Sequence, residues 1–172
     1  AKPQNTADEV IIAVSVDSPI EDVSELADGI RIAKTDDPDV NMIGMIMLEP
    51  ADLSGGNTHS EIVDTYALVA KQLMKGDADV GFFLAESYAL FSDFLKKQLK
   101  VLVNSQISVI CHAFMVSPAA AEHADAIQAL LLDMHKDPKT LEILQGLGFS
   151  GWEAQSYEDT EFMIDLMDTL VD

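Results

Sequence analysis

The stretch Val10-Ile-Ile-Ala-Val-Ser-Val-Asp-Ser-Pro-Ile20 decides the reading of the fold. Its first half is a short β-branched run, the pattern of a buried strand. Ser18, Pro19 and Glu21 follow as a helix-start signature: a hydroxyl to cap, a proline for the first turn and a carboxylate to complete a capping box. The short helix is expected to end near Gly29, and Ile30-Arg-Ile-Ala-Lys34 reads as a second strand. Strands that alternate with helices build an α/β layered domain with an at least partly parallel sheet.

The alternation continues outward. Asp36-Asp37-Pro38-Asp39 leads into an apolar segment, Val40 to Leu48, stopped by Pro50. The turn-rich Ser54-Gly-Gly-Asn57 precedes Thr58 and Glu61, a second capping box, ahead of Ile62, Tyr66, Val69 and Leu73 at helical spacing up to Gly76. Asp79-Val-Gly-Phe-Phe83 reads as a third strand, followed by a helix from about Glu86 to Lys97. Leu99 to Val103 and Ser108 to Val116 read as fourth and fifth strands. Ser117-Pro118 opens a long helix with the stripe Ile127, Leu130, Leu131 and Met134. Pro138 restarts a helix that ends at Gly146 and Gly148, and a final helix uses Phe162, Ile164, Leu166 and Leu170. Residues 1–8 are polar, contain Pro3 and are expected to form a flexible arm. Residues 9–172 are expected to form one α/β domain, a mixed sheet of about five strands flanked by helices, with a helical C-terminal tail.

Composition excludes several partners. The 172 residues carry 30 Asp+Glu against 10 Lys+Arg, a formal charge of −20. A phosphate backbone is bound by clustered Lys/Arg, so nucleic acid is not expected, nor is an anionic membrane surface. No apolar run reaches the ~20 residues of a membrane span, so direct membrane insertion is not expected. With 48% hydrophobic residues the chain is globular. Cys111, the single cysteine, excludes an intramolecular disulfide framework.

Taken in order, five pieces resemble the periplasmic phosphate/phosphite/phosphonate-binding proteins, the two-lobed solute receptors of ABC transporters. The first are Val10 to Ile20, similar to the family's strand and "DSPI" turn, and Val23-Ser-Glu-Leu-Ala-Asp-Gly-Ile-Arg-Ile-Ala33. Lys75-Gly-Asp-Ala-Asp-Val-Gly-Phe82 is similar to "GEVDAGF", and Leu99-Lys-Val-Leu-Val-Asn-Ser105 to "LRVLAES". Leu131 through Phe149 is similar to "LLSLHEDPEGRALLEALGI". The resemblance covers roughly residues 9 to 170 and only the second lobe of the family, so it implies a single lobe of the type II periplasmic-binding fold, with the first lobe absent. It implies a non-enzymatic, periplasmic solute-binding domain, with a leader outside this chain and a membrane permease or sensor as partner. A face that the first lobe would have covered leaves room for self-association as a homodimer.

The ligand turn departs from the family. Where the family has a Ser/Thr-rich "STSG"-like turn that holds the anion at a helix start, this chain has Thr35-Asp-Asp-Pro-Asp-Val-Asn41. Three carboxylates would face any phosphonate, so altered or lost anion specificity is expected, with a cationic or zwitterionic solute in place of phosphate. The alternative is a self-associating sensory or interaction module that has lost small-molecule binding. Thr35, Asp36, Tyr66, Glu86 and Tyr88 are the candidate cleft face, the last two because ligands gather at the carboxyl edge of α/β sheets. His59, beside Gly55-Gly56, is a candidate for a ligand contact or for helix capping.

Other chemistry finds no carrier. Asp37-x-Asp39-x-Asn41 has the spacing of the first calcium ligands of an EF-hand, but Met42 and Leu48 stand where Gly and Glu are needed. Met42, Met45 and Met47 read as core filler before they read as a copper site. No phosphate loop, nucleophile elbow or metalloprotease helix is present, so neither metal, cofactor nor catalytic residues are expected.

Overall fold

The computed structural model describes residues 1–4, 9–107 and 110–168, the side chains of 166–168 excepted. In chain order the strands are β1 (Lys2–Pro3), β2 (Val10–Ser15), β3 (Arg31–Lys34), β4 (His59–Ile62), β5 (Val80–Leu84), β6 (Leu99–Asn104) and β7 (Trp152–Glu153). The helices are α1 (Pro38–Ile46), α2 (Tyr66–Lys75), α3 (Ala85–Ala89), α4 (Asp93–Lys96), α5 (Ala124–Asp133), α6 (Pro138–Gly146) and α7 (Tyr157–Asp168). The chain divides into two compact units, Asp8–Ile107 and Ala1–Ala7 with Ser108–Asp172.

The first unit holds a five-stranded mixed sheet in the order β4-β3-β5-β2-β6. β3 pairs in parallel with β4 and β5, while β2 runs antiparallel to β5 and β6. Residues opposite one another share a face of the sheet. Ala13 faces Gly81, and Gly81 faces Ala33, so a row of minimal side chains crosses the sheet. Helix α2 lies on this row: a Cβ added at Gly81 would come within 2.8 Å of Val69 Cγ1 and 2.9 Å of Leu73 Cδ1. On the other face Ile12 pairs with Phe82 and Ile32 with Val80, all four wholly buried. There Gly44 of α1 admits the Phe82 ring; a Cβ at Gly44 would lie 2.4 Å from Phe82 Cδ2. The crossovers β3-α1-β4 and β4-α2-β5 run in opposite directions along the sheet, and a common right hand then requires their helices to take opposite faces.

Several expected boundaries move. The first capping box forms at Asp22, not Ser18: Asp22 Oδ1 accepts from Ser24 N at 2.9 Å, and Glu25 Oε2 reaches back to Glu21 N at 2.8 Å, capping a single 3-10 turn, Val23–Glu25. Ser18 holds a local turn through Ile20 N. The box expected at Thr58 does not form either. Thr58 donates to Ser54 O, and His59–Ile62 is an edge strand in parallel register with β3. The helix waits for Thr65, whose hydroxyl caps Leu68 N, and ends at Gly76, whose φ of 74° is left-handed. The expected helix over 86–97 is two short ones, with Ser92 capping the second. In the expected fifth strand, residues 110–116 carry no regular structure and 108–109 lie outside the described residues; β4 takes the fifth place in the sheet.

In the second unit residues 1–4 are paired, while 5–8 lie outside the described residues. β1 pairs antiparallel with β7, Gln4 N donates to Gly151 O at 2.8 Å, and Phe114 N donates to Ala1 O at 2.7 Å. Lys2 Nζ stands 3.2 Å from Asp159 Oδ2 and 3.5 Å from Glu153 Oε1, and those carboxylates outweigh partial burial in holding its ammonium above the usual lysine range. Phe114 and Phe149 pack edge-on to Trp152. Ser117 and Asp137 cap the expected Ser-Pro and Asp-Pro helix starts, although the first opens as a 3-10 segment, Pro118–His123. Of the final stripe, Phe162 and Ile164 are exposed, while Leu166 and Leu170 lie outside the described side chains.

The contact at Gly44 makes a test with an unusual sign. Ala for Gly inside a helix ordinarily stabilises by up to ~1 kcal/mol. At Gly44 the added methyl meets a buried aromatic ring, and overpacking costs ~1–3 kcal/mol. Gly44→Ala is expected to lower the urea midpoint with m unchanged; a raised midpoint would show that Phe82 yields.

Candidate functional site

The carboxyl ends of β3 and β4 open side by side onto a concavity of about 520 Å³. Thr35, Asp36 and Asp37 line it from the β3 side, and Ile62, Val63, Asp64, Thr65 and Tyr66 from the β4 side. Val63 N donates to Lys34 O at 2.9 Å, so the ladder continues up to the rim. Both chain segments then enter helices, α1 capped by Asp37 and α2 by Thr65. Because the chain leaves β3 for β4 on one side and returns past β3 to β5 on the other, this is the topological switch point, where α/β sheets bind ligands.

Asp37 has two partners here. Its Oδ1 accepts from Val40 N in the first turn of α1, at 3.4 Å. Its Oδ2 accepts from Tyr66 Oη at 2.8 Å. One carboxylate thus takes a donor at a helix N-terminus and the phenol at the start of α2. Burial pushes the Tyr66 phenol up to about 12; the Asp37 carboxylate acts in the same direction and the neighbouring Thr35 hydroxyl against it. The Tyr66 ring packs 6.3 Å from Phe83, against the core beneath α2.

Thr35 is 8% exposed, and its Oγ1 is closed to solvent beside the Tyr66 phenol. Its backbone is held, since Asn41 Nδ2 donates to Thr35 O at 3.0 Å. Asp36 and Asp64 are exposed at the rim. Among the described residues, no Lys, Arg or His lines the concavity. Lys34 stands next in sequence, outside the lining, and burial pushes its ammonium below the usual lysine range. Among the described residues no group of three or more His, Cys, Asp or Glu could hold a metal ion.

Of the residues singled out in the sequence, Thr35, Asp36 and Tyr66 come together here. His59 lies at the other end of β4, exposed, because its segment is a strand and not a helix start. Glu86 is exposed on α3, outside the lining. Tyr88 is 9% exposed and belongs to the core, its ring 5.6 Å from Phe83 and 5.5 Å from Phe91. Asp37, part of the acidic turn expected to face the ligand, and Thr65, which the resemblance sets beside Tyr66 at the family's ligand position, also line the concavity. Sequence reasoning missed Ile62, Val63 and Asp64, which belong to the end of the unrecognised edge strand and the turn after it.

Tyr66 offers a pH test. A folded phenol raised to about 12, above the ~10 of an unfolded tyrosine, contributes stability that is complete below pH 10 and is lost as pH climbs toward 12. Tyr66→Phe is expected to flatten that alkaline loss. It should also remove a phenolate absorbance step near pH 12 from the ultraviolet titration; a step missing near pH 10 instead would place Tyr66 in solvent.

Comparison with known proteins agrees with this architecture. Residues 1–160 match the family described as ABC transporter, phosphonate, periplasmic substrate-binding protein. XAC2383 from Xanthomonas citri, solved bound to chloride ion, superposes with a TM-score of 0.71 at 16% identity over 98% of this chain and 67% of that one. PhnD1 from Prochlorococcus marinus, in complex with methylphosphonate, gives 0.69 at 8% identity over 99% and 69%. The periplasmic aliphatic sulphonate binding protein SsuA from Escherichia coli gives 0.65 at 15% over 94% and 61%. The chain thus spans about two thirds of the length of these structures, and at such identities the likeness carries the fold, that of type II periplasmic binding proteins. No curated protein matches the chain.

Proposed function

The chain belongs to the phosphonate periplasmic substrate-binding family of ABC transporters, and from that premise we propose that it is a non-enzymatic solute-binding domain of the cell envelope with altered anion specificity. Its solute contacts the switch-point concavity through Thr35, Asp36 and Tyr66, and its partner is a membrane permease. The supporting observation is the double engagement of Asp37. A phosphonate oxygen at the start of α1 would seek the helix N–H groups and a neighbouring hydroxyl donor. Here Asp37 draws on both, with Val40 N on one oxygen and Tyr66 Oη on the other.

Magnitudes favour exclusion. A helix N-terminus attracts an anion by ~0.3–1 kcal/mol at an exposed site. A like charge about 4 Å away repels it by ~4 kcal/mol at an effective dielectric constant near 20. Asp36 and Asp64 add to that repulsion from the same lining.

A second reading, an interaction module that has lost small-molecule binding, draws on the second unit, where Met115, Leu130, Leu147 and Tyr157 are 65–83% exposed. Thermal-shift screening separates the two, because a ligand of the native state raises stability by RT ln(1 + [L]/Kd). The solute-binding reading expects a rise with at least one uncharged, zwitterionic or cationic solute, and none with millimolar phosphate or methylphosphonate. A rise with methylphosphonate overturns the anion argument. No rise with any solute, together with self-association in sedimentation, favours the interaction module.

A further inference from the structure

We propose that the outer surface of α2 and α4 docks the acidic helix α7 of a second copy of this chain, a contact that holds whether or not a solute is bound. α2 covers a hydrophobic cluster with Val69 and Leu73, and Phe91 and Leu95 of the α3–α4 segment pack against the same cluster. One helical layer therefore lies on that face of the sheet. Its outward residues, Lys71, Met74 and Lys75 on α2 and Leu90, Phe94 and Lys97 beyond it, are all exposed. Leu90 is 87% and Phe94 70% exposed. Lys96 Nζ donates to Ala89 O at 2.6 Å and so draws α4 back onto the end of α3.

Charge singles this layer out. α2, α3, α4 and the capping Lys97 hold four of the 10 cationic residues but two of the 30 acidic ones, Glu86 and Asp93. Elsewhere Lys2, Arg31, Lys100 and Lys136 are taken up in ion pairs. Among the described residues no carboxylate pairs with Lys71, Lys75, Lys96 or Lys97. Exposed apolar side chains rimmed by polar ones mark a contact surface, and here the rim calls for acid.

The same chain supplies it. α7 holds Glu158, Asp159, Glu161 and Asp165 and no cationic residue. Tyr157, Glu161 and Ile164 recur at i, i+4 and i+7, the spacing of one helix face, with Glu158 and Asp165 beside them, and all five are exposed. Asp159, paired with Lys2, and Met163 are half-buried on the opposite side. An apolar stripe flanked by carboxylates thus matches an apolar surface flanked by lysines, with burial at the centre and complementary charge at the rim. The formal charge of −20 on each copy repels at long range, but salt screens it beyond ~8 Å, so the facing side chains decide.

Sedimentation velocity of the full chain at roughly 10–500 μM and about 0.15 M salt tests the contact, since a single docked helix is expected to associate weakly. The sedimentation coefficient is expected to rise with concentration. Reversing the face in Lys71→Glu/Lys75→Glu/Lys97→Glu, or the helix in Glu158→Lys/Glu161→Lys/Asp165→Lys, is expected to raise the concentration needed at least roughly tenfold. Phe94→Ser should weaken association without a change of charge. An equimolar mixture of the two reversed variants should associate again, because each face then meets a helix of opposite sign. Circular dichroism confirms that every variant is folded. A wild-type chain that stays monomeric throughout overturns the proposal, and so does association that neither reversal moves. Stronger association of the helix variant alone would mean that diffuse net charge governs and would overturn it too. A monomeric chain that pellets with phosphatidylglycerol vesicles would give the surface to a membrane instead.

Discussion

The close approach of two helices to opposite faces of one sheet is the constraint on which the rest depends. Helix α2 reaches the sheet because Ala13, Gly81 and Ala33 form a row without bulk, and α1 because Gly44 leaves room for the Phe82 ring. Large residues fill the positions on either side: Ile12, Ile32, Phe82 and Phe83 are wholly buried, each worth ~1.5–3 kcal/mol relative to exposure. Exposed ion pairs such as Arg31–Asp79, at 2.7 Å, are screened by water and contribute little beside this. Packing, not surface charge, therefore sets how the two helices lie on the sheet, and the caps Asp37 and Thr65 set where they begin.

Where they begin governs the chemistry. Both start at one edge of the sheet, so two helix N-termini converge on a concavity that would ordinarily draw an anion. This sequence places Asp36, Asp37 and Asp64 there instead. Asp37 satisfies α1 and the Tyr66 hydroxyl together and so ties the two crossover units across the mouth. The fold of the family is retained, with three carboxylates in the lining of its switch-point concavity.

Legibility in the sequence followed burial. β2, β3 and β5 were readable because their apolar runs are buried, and α2 because Val69 and Leu73 recur toward the core; β6 was readable from its apolar run although only Leu99 of it is buried. The edge strand β4 was not, since His59, Ser60, Glu61 and Ile62 are all exposed and carry no alternation. Its parallel pairing with β3 is a tertiary fact. The run after Ser108 misled in the other direction, apolar enough for a strand but without a ladder through residues 110–116. At the site, Thr35, Asp36 and Tyr66 were legible through the family resemblance and strand-end position. Tyr88 was misassigned because a position near a strand end does not say whether a ring turns outward or, as here, packs on Phe83. Asp37's second partner was invisible, as it joins residues 29 positions apart.

The most direct measurement is a crystal structure of this chain grown from phosphate. The account expects Asp37 Oδ2 within hydrogen-bond distance of Tyr66 Oη, Asp37 Oδ1 on the first turn of α1, and no anion density between them. A phosphate ion seated at the start of α1, with the Asp37 side chain turned away from Tyr66, would contradict it.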